Sequence, residues 1–170
     1  MNGVYLAEIK RLVISDAGPI IHLDELDCLN LLNFPEVLIP ESVFQEINNI
    51  RIIQFSKFPN FKIVSDPVIP TEILESYKIY DLHKGEAMAI SLALENKDTI
   101  LLTDDSAARL FAVNLKMLVH GTIGILLRAV RMKLVTPQAM IEILSNIRIK
   151  STLHISQKLI DESIAAIQNI

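Results

Sequence analysis

The sequence of 170 residues contains a single cysteine, Cys28, so no disulfide can form within one chain. A lone cysteine is typical of proteins in a reducing compartment, and we expect a cytoplasmic protein with Cys28 as a small core residue. Long apolar runs are missing as well, since none approaches the roughly 18 residues of a membrane-spanning helix. The first ten residues also lack the basic start and apolar centre of a signal peptide, so we expect no membrane association.

Phosphate-binding loops and zinc motifs are also absent. The five glycines are scattered and form neither G-x-x-x-x-G-K-S/T nor G-x-G-x-x-G, and the four histidines lack the close spacing of zinc ligands. One of them, His120, ends a predicted strand and either lines a functional cleft or is a satisfied structural histidine. Basic residues are fewer than acidic ones, 16 against 20, so the net charge is −4. A nucleic-acid partner would therefore need a local basic patch.

Short β-branched runs alternate with longer helical patterns, which is typical of parallel strands connected by helical crossovers. The strand candidates are Leu12–Ser15, Val37–Ile39, Phe61–Val64, Thr99–Thr103 and Met117–His120. The helix candidates are Pro19–Leu32, Glu41–Ile52, Thr71–Ile79, Lys84–Asn96, Ser106–Asn114, Thr122–Met132, Pro137–Ile147 and Ser156–Ile167. Because the strand candidates are continuously apolar, we expect an α/β fold whose parallel sheet is covered on both faces. The chain length favours one domain across residues 1–170.

Carboxylates follow two of the strand candidates at the point where each strand ends. Asp16 follows the first strand, whereas Asp104 and Asp105 follow the fourth. Because functional clefts of doubly wound sheets lie beyond the carboxyl ends of the strands, we expect these side chains to converge. Glu86 heads an otherwise apolar helix face, and Glu46 lies on the edge of a buried helical stripe.

Each of these acids also has a simpler structural interpretation. Asp16 could be a turn residue, and Glu46 an ordinary residue at the rim of a helix. Glu86 and Asp105 could instead stabilise helix N-termini. The joint pattern favours a shared site, since no sequence-local basic residue is placed to neutralise all the acids. Clustered carboxylates are the oxygen ligands that Mg²⁺ or Mn²⁺ prefers, which predicts metal-assisted hydrolysis of a phosphodiester.

Five stretches in this order resemble the PIN domain: VISDAGPII, EVLIPESVFQEI, LHKGEAMAISLALE, ILLTDDSAARLFA and LVHGTIGILLRAV. The similarity is to the branch of uncharacterised PIN-like proteins related to the ribonucleases of toxin-antitoxin pairs, and it covers about residues 12–133. It implies a Rossmann-like three-layer α/β/α sandwich with sheet order 3-2-1-4-5 and an acidic pocket that uses Mg²⁺ or Mn²⁺ to cleave single-stranded RNA. Beyond this core we expect a C-terminal helical extension over residues 137–168.

The resemblance also implies roles for individual residues. The implied catalytic acids are Asp16, Glu46, Glu86 and Asp105. The implied metal ligands are Asp16, Glu86 and the neighbours Asp104 and Asp105, of which Asp105 has the family's spacing from Thr103. Thr103 takes the place of the family's strand-ending hydroxyl residue. Ser15 directly precedes the first acid, and we expect its side chain on the opposite face of the strand.

The chain departs from the family directly after Asp16, where a hydroxyl residue is usual and Ala17 and Gly18 stand instead. The missing hydroxyl predicts weakened activity, so the alternative is a catalytically weak PIN-fold module that binds nucleic acid or protein. Two other families that place an acid after a strand fit less well. A haloacid dehalogenase would need an aspartate at position 18, and a receiver domain would need a lysine after the last strand.

The expected partners follow from the basic residues, the last helix and the resemblance. Candidate RNA contacts are Lys84, Arg109 and Arg128, together with Lys78, Arg131 and Lys133. Arg109 follows Asp105 by one helical turn and could pair with that acid instead. An apolar stripe in the last predicted helix must pack on the domain or on a partner, which with the resemblance favours a homodimer. The toxin relationship implies a cognate antitoxin protein as a second partner.

Overall fold

One parallel sheet of five strands forms the centre of the fold. The structure is a computed structural model that describes residues 11–96 and 98–169, and the expectations about the first ten residues lie outside these ranges. The strands are β1 (Val13–Ser15), β2 (Val37–Pro40), β3 (Phe61–Val64), β4 (Ile100–Leu102) and β5 (Leu118–His120). Their order is β3-β2-β1-β4-β5, with every neighbouring pair parallel, which confirms the predicted fold class.

Helices cover both faces of this sheet. They are α1 (Ala17–Glu25), α2 (Glu41–Ile50), α3 (Thr71–Ile79), α4 (Lys84–Glu95), α5 (Ser106–Asn114), α6 (Thr122–Arg131), α7 (Pro137–Ser145), α8 (Ile147–Lys150) and α9 (Gln157–Gln168). Short 3₁₀ turns lie at Leu29–Leu31 and Phe55–Lys57. In the ranges that the structure describes, none of the helices combines the length and the apolar character needed to cross a membrane.

Side chains of the strands alternate between two apolar cores. Val13, Ile100 and Leu102 lie in a core that α1, α2, α6, α7 and α9 cover. Ile14 and Leu101 lie in a second core, on the other face, which α4 and α5 cover. Burial on both faces explains why the central strands β1 and β4 are apolar up to their last residues, whereas β3, at the edge of the sheet, carries the exposed Lys62.

The strand order reverses between β1 and β4, at the centre of the sheet. Val13 pairs with Val37 of β2 on one side and with Ile100 of β4 on the other. The amide of Asp16 donates to the carbonyl oxygen of Leu102 at 3.0 Å, so the chain after β1 stays beside the end of β4. A cleft beyond the carboxyl ends of these two strands is the usual location of a site in such a sheet.

The helix predicted over Pro19–Leu32 is too long, because α1 ends at Glu25. Asp27 has a left-handed backbone with a φ of 56°, and the amide of Cys28 turns back to the carbonyl oxygen of Leu23. Aspartate tolerates this conformation better than most residues, so the chain breaks the helix without the glycine that usually marks such a break.

The C-terminal helices pack on the domain. The helix predicted over Pro137–Ile147 ends at Ser145, and α8 then begins at Ile147. In α9 the buried residues Ile160, Ser163 and Ile167 face α7 and α6, which places the apolar stripe of the last helix against its own chain. The stripe therefore no longer argues for a second copy of the protein.

Leu144→Ala tests whether the C-terminal helices unfold together with the sheet. Leu144 is fully buried in the core that also holds Val13. The truncation should lower the free energy of unfolding by about 2–5 kcal/mol within a single transition, measured by chemical denaturation. Ile149→Ala, at an exposed position of α8, should change it by less than about 0.5 kcal/mol. A separate transition for the extension would contradict a single domain.

Candidate functional site

A cleft of about 430 Å³ opens where the strand order reverses. Five acids line it, and they are all of the acids that the sequence pattern singles out: Asp16, Glu46, Glu86, Asp104 and Asp105. The remaining lining residues are Ala17, Gly18, His22, Ser106, Thr152, Leu153 and His154. The cleft thus combines the ends of β1 and β4, residues of four helices (α1, α2, α4 and α5) and a segment from the C-terminal part of the chain.

Asp16 lies at the floor of this cleft and is buried. Its Oδ1 accepts from the amide of Gly18 at 3.1 Å and so begins α1. Burial raises the pKa of Asp16 well above its usual range, the neighbouring carboxylates of Asp104, Glu86 and Glu46 raise it further, and a hydrogen bond from Thr103 opposes the shift. Ionisation of Asp16 therefore costs free energy when no cation is bound.

Glu86 lies half-buried at the start of α4. Its Oε2 accepts from the amide of His83 at 2.8 Å, as in a capping box. Burial raises the pKa of Glu86, with Asp105 and Glu46 as additional negative neighbours and the His83 hydrogen bond as the opposing influence. The Glu86 carboxylate therefore both caps α4 and lines the cleft.

Glu46 reaches the cleft from α2 because the neighbouring helix has a glycine at position 85. A Cβ added to Gly85 would lie 2.5 Å from Oε2 of Glu46, which is closer than real side chains approach. The absence of a side chain at this position lets the two helices bring Glu46 next to Glu86. Glu46 itself is exposed at the rim.

Asp104 accepts three hydrogen bonds at the junction of β4, α1 and α6. His22 Nδ1 lies 2.8 Å from Oδ2, the amide of Thr122 lies 2.8 Å from Oδ1, and the hydroxyl of Thr122 lies 2.5 Å from Oδ2. Burial raises the pKa of Asp104, but the hydrogen bonds outweigh burial and hold it below its usual value. An ionised Asp104 can only accept, so His22 carries a proton on Nδ1.

Asp105 caps α5 and also faces the cleft. Its Oδ1 accepts from the amide of Ala108 at 2.7 Å, and its own amide donates to the hydroxyl of Thr103 at 3.2 Å. Thr103 is buried, and its side chain also lowers the pKa of Asp16. Ser15 is buried too, and its hydroxyl donates to the carbonyl oxygen of Asp16 at 2.9 Å.

The candidate RNA contacts occupy three different environments. Lys84 is exposed, and its Nζ lies 3.7 Å from Oδ2 of Asp66. Arg109 donates from Nη2 to the carbonyl oxygen of Thr103 at 2.9 Å. Arg128 is only 6% exposed, and its guanidinium lies 4.0 Å from the centre of the Phe34 ring. This burial corrects the expectation that Arg128 contacts RNA, because its guanidinium packs against the Phe34 ring and is not exposed to a phosphate.

Sequence reasoning missed His22 and the segment 151–155. His22 follows Gly18 by one helical turn, and this spacing on α1 could have revealed it. The segment 151–155 had no local signal, because Glu25 holds it from far away in sequence. Glu25 Oε2 accepts from the hydroxyl of Ser151 at 2.8 Å and from the amide of Thr152 at 2.7 Å. Burial opposes the charge on Glu25, but these hydrogen bonds lower its pKa overall.

The donor chemistry of the cleft fits a hard divalent cation. Carboxylate oxygens are the ligands that Mg²⁺ and Mn²⁺ prefer, and a cation would favour the ionised form of the buried Asp16. Across residues 11–96 and 98–169, however, no three side chains of His, Cys, Asp or Glu are close enough together to form a ready metal-binding group. The acids surround the cleft without closing into a ligand shell.

Comparison with known proteins assigns most of this chain to one family model. A model described as PIN domain matches residues 12–169, which include all five strands and the C-terminal helices. No curated protein matches the chain.

Asp16→Asn should stabilise the protein at neutral pH. The raised pKa means that folded Asp16 keeps a proton that the unfolded chain has lost, so wild-type stability falls as pH rises from the ordinary aspartate value through the raised value. Asparagine keeps the cap and cannot ionise. Each kcal/mol gained in the free energy of unfolding should raise the thermal midpoint by about 2–4 °C.

The thermal midpoints of Asp16→Asn and wild type should differ most near pH 7 and converge near pH 3, below the ordinary aspartate pKa. Asp81→Asn, at an exposed turn, is the matched control and should follow wild type at both values. A stability difference that grows as the pH falls would have the wrong sign for a raised pKa.

Proposed function

The chain belongs to the PIN domain family, whose members are generally nucleases, and from this membership we propose that it is a metal-dependent endoribonuclease. The proposed reaction is hydrolysis of phosphodiester bonds within single-stranded RNA. The single observation that carries the proposal is the convergence of five carboxylates on one cleft where the strand order reverses. PIN domains typically use divalent metals, and carboxylates of this kind suit Mg²⁺ or Mn²⁺.

Asp16, Glu86 and Asp105 would hold the cation in this proposal. When bound, the cation supplies positive charge at the scissile phosphate and favours ionisation of the attacking water. Asp104 is less suited to this role, since its two oxygens already accept three hydrogen bonds. Glu46 is the exposed acid of the five and has no capping role, so it is placed to accept the proton of the attacking water.

Two neighbouring hydroxyl residues, Thr103 and Ser106, support the acids in this proposal. Thr103 accepts from the amide of Asp105, and its side chain also favours the ionised form of Asp16, so one hydroxyl residue acts on two proposed ligands. Ser106 lines the cleft and brings a hydroxyl group to a site where Ala17 and Gly18 carry none.

A second candidate function is a PIN-fold module that binds nucleic acid or protein with little catalysis. Two observations favour it: the Ala17-Gly18 departure, and the lack of a ready metal-binding group among the described residues. A toxin role with a cognate antitoxin, and a homodimer, are further proposals that rest on the family branch. A cytoplasmic location rests on the single cysteine.

Asp16→Asn should abolish cleavage of an unstructured, end-labelled RNA in the presence of Mn²⁺. We expect internal cleavage by wild type and a loss of about a hundredfold or more in the variant, because a central charged group of the site is removed. EDTA should stop the reaction, and added Mn²⁺ should restore it. Asp81→Asn, purified in parallel, should cleave like wild type. Equal cleavage by wild type and Asp16→Asn would refute the mechanism, and RNA binding without cleavage would favour the second candidate function.

Asparagine substitutions at the two adjacent aspartates should separate their roles. Asp105→Asn keeps a capping residue and should weaken Mn²⁺ binding by about tenfold or more in calorimetry. Asp104→Asn disturbs three hydrogen bonds and should lower the free energy of unfolding by about 1–3 kcal/mol in denaturation. The opposite pattern, with the metal defect in Asp104→Asn alone, would make Asp104 the ligand.

A further inference from the structure

A second cleft of about 300 Å³ adjoins the acidic cleft. The two clefts share three lining residues, Asp104, Leu153 and His154. The second cleft is otherwise lined by Arg109, His120, Gly121, Ile123, Gly124, Ile155 and Leu159. A chain that leaves the acidic cleft past His154 therefore enters this second cleft directly.

The second cleft is less acidic than the first. Five carboxylates make the acidic cleft repel phosphate wherever no cation neutralises them. The second cleft contains the guanidinium of Arg109 and the imidazoles of His120 and His154, with Asp104 as its acid. Because Asp104 already accepts hydrogen bonds from His22 and Thr122, its charge is partly compensated.

Arg109 is held at the boundary of the two clefts by a close fit. Its Nη2 donates to the carbonyl oxygen of Thr103 at 2.9 Å. A Cβ added to Gly121 would lie 2.6 Å from this nitrogen and 2.5 Å from Oδ1 of Asp104. Gly121 thus leaves the space that lets the guanidinium lie beside Asp104, which lines both clefts.

The rest of the lining of the second cleft is apolar. Ile123, Ile155 and Leu159 contribute aliphatic side chains, and Leu159 is 43% exposed although it belongs to a helix that packs on the core. A cationic group beside an apolar surface and imidazoles matches the phosphate and base of a nucleotide. Bases of single-stranded RNA stack on aromatic side chains, including histidine, and the aliphatic side chains offer an apolar surface beside them.

The wall between the two clefts is fixed in place. Leu153 and His154 belong to the segment 151–155, which Glu25 of α1 holds through Ser151 and Thr152. The amide of Leu153 also donates to the hydroxyl of Ser151 at 3.2 Å, which closes a turn. His154 is exposed at the top of this turn, where it faces both clefts.

We propose that the second cleft binds the nucleotide of single-stranded RNA next to the scissile phosphate. Arg109 contacts the phosphate, and His154 and Leu159 contact the base. This inference rests on the proposed ribonuclease function and adds to it a binding site in which the C-terminal segment selects an unpaired nucleotide. A base-paired strand would not present its base to Leu159.

Leu159→Glu tests the proposal by placing a carboxylate in the second cleft. Leu134→Glu is the matched control, since Leu134 is 42% exposed and lines neither cleft. The probe is a fluorescent single-stranded RNA, and the measurement is anisotropy with Ca²⁺ in place of Mn²⁺, so that a cation neutralises the carboxylates of the acidic cleft. A denaturing gel of the recovered probe shows that binding is read on uncleaved RNA. We expect Leu159→Glu to weaken binding by about tenfold through repulsion of phosphate, and Leu134→Glu to bind like wild type.

His154→Ala provides a second variant at an exposed position, and it should weaken binding by about threefold to tenfold through lost stacking. Thermal midpoints show that each variant is folded. Wild-type affinity in both Leu159→Glu and His154→Ala would overturn the second cleft as the binding site, even where wild type cleaves RNA. Weakened binding in both variants would support the cleft even where wild type cleaves nothing, and only the nuclease proposal would then fail. A wild type that binds no single-stranded RNA would overturn both.

Discussion

The hydrogen bonds around Asp104 hold together the part of the molecule on which both clefts depend. This carboxylate follows β4, and it binds His22 of α1 and Thr122 of α6. Three elements from distant parts of the sequence are thereby fixed at one point beyond the sheet. The acidic cleft opens on one side of this junction and the second cleft on the other. Asp104 is best understood as the residue that positions its neighbours, and its own oxygens are occupied in doing so.

Much of the fold and of the acid set follows from the sequence, because both depend on local pattern. Continuous apolar runs identified the strands. The positions directly after the first and fourth runs identified Asp16, Asp104 and Asp105. The boundaries of α3 and α5 were also predicted, since Pro70 and Asp105 mark clear helix starts. What local pattern cannot provide is contact between distant segments. The segment 151–155 and the core position of Arg128 depend on such contacts, and so does the hydrogen bond of His22 to Asp104.

The acidic cleft is assembled at a cost to stability. Asp16 is buried among like charges, and Glu46 approaches Glu86 only because Gly85 has no side chain. Charges arranged in this way oppose folding in the absence of a cation, while the apolar cores on both faces of the sheet favour it. A site that is unfavourable in the free protein and favourable with a ligand is a common feature of functional clefts. The apolar cores, which also bury Arg128, therefore offset the destabilisation that the acidic cleft causes.

The attachment of the segment 151–155 to Glu25 has a consequence for the order in which the protein matures. All five acids lie before residue 106 in the sequence. The wall formed by Leu153 and His154 is synthesised long after them, and Glu25 can bind Ser151 only when that segment has left the ribosome. A nascent chain thus has its acids before it has the wall that separates the two clefts. The wall between the two clefts can therefore form only after the C-terminal part of the chain has been synthesised.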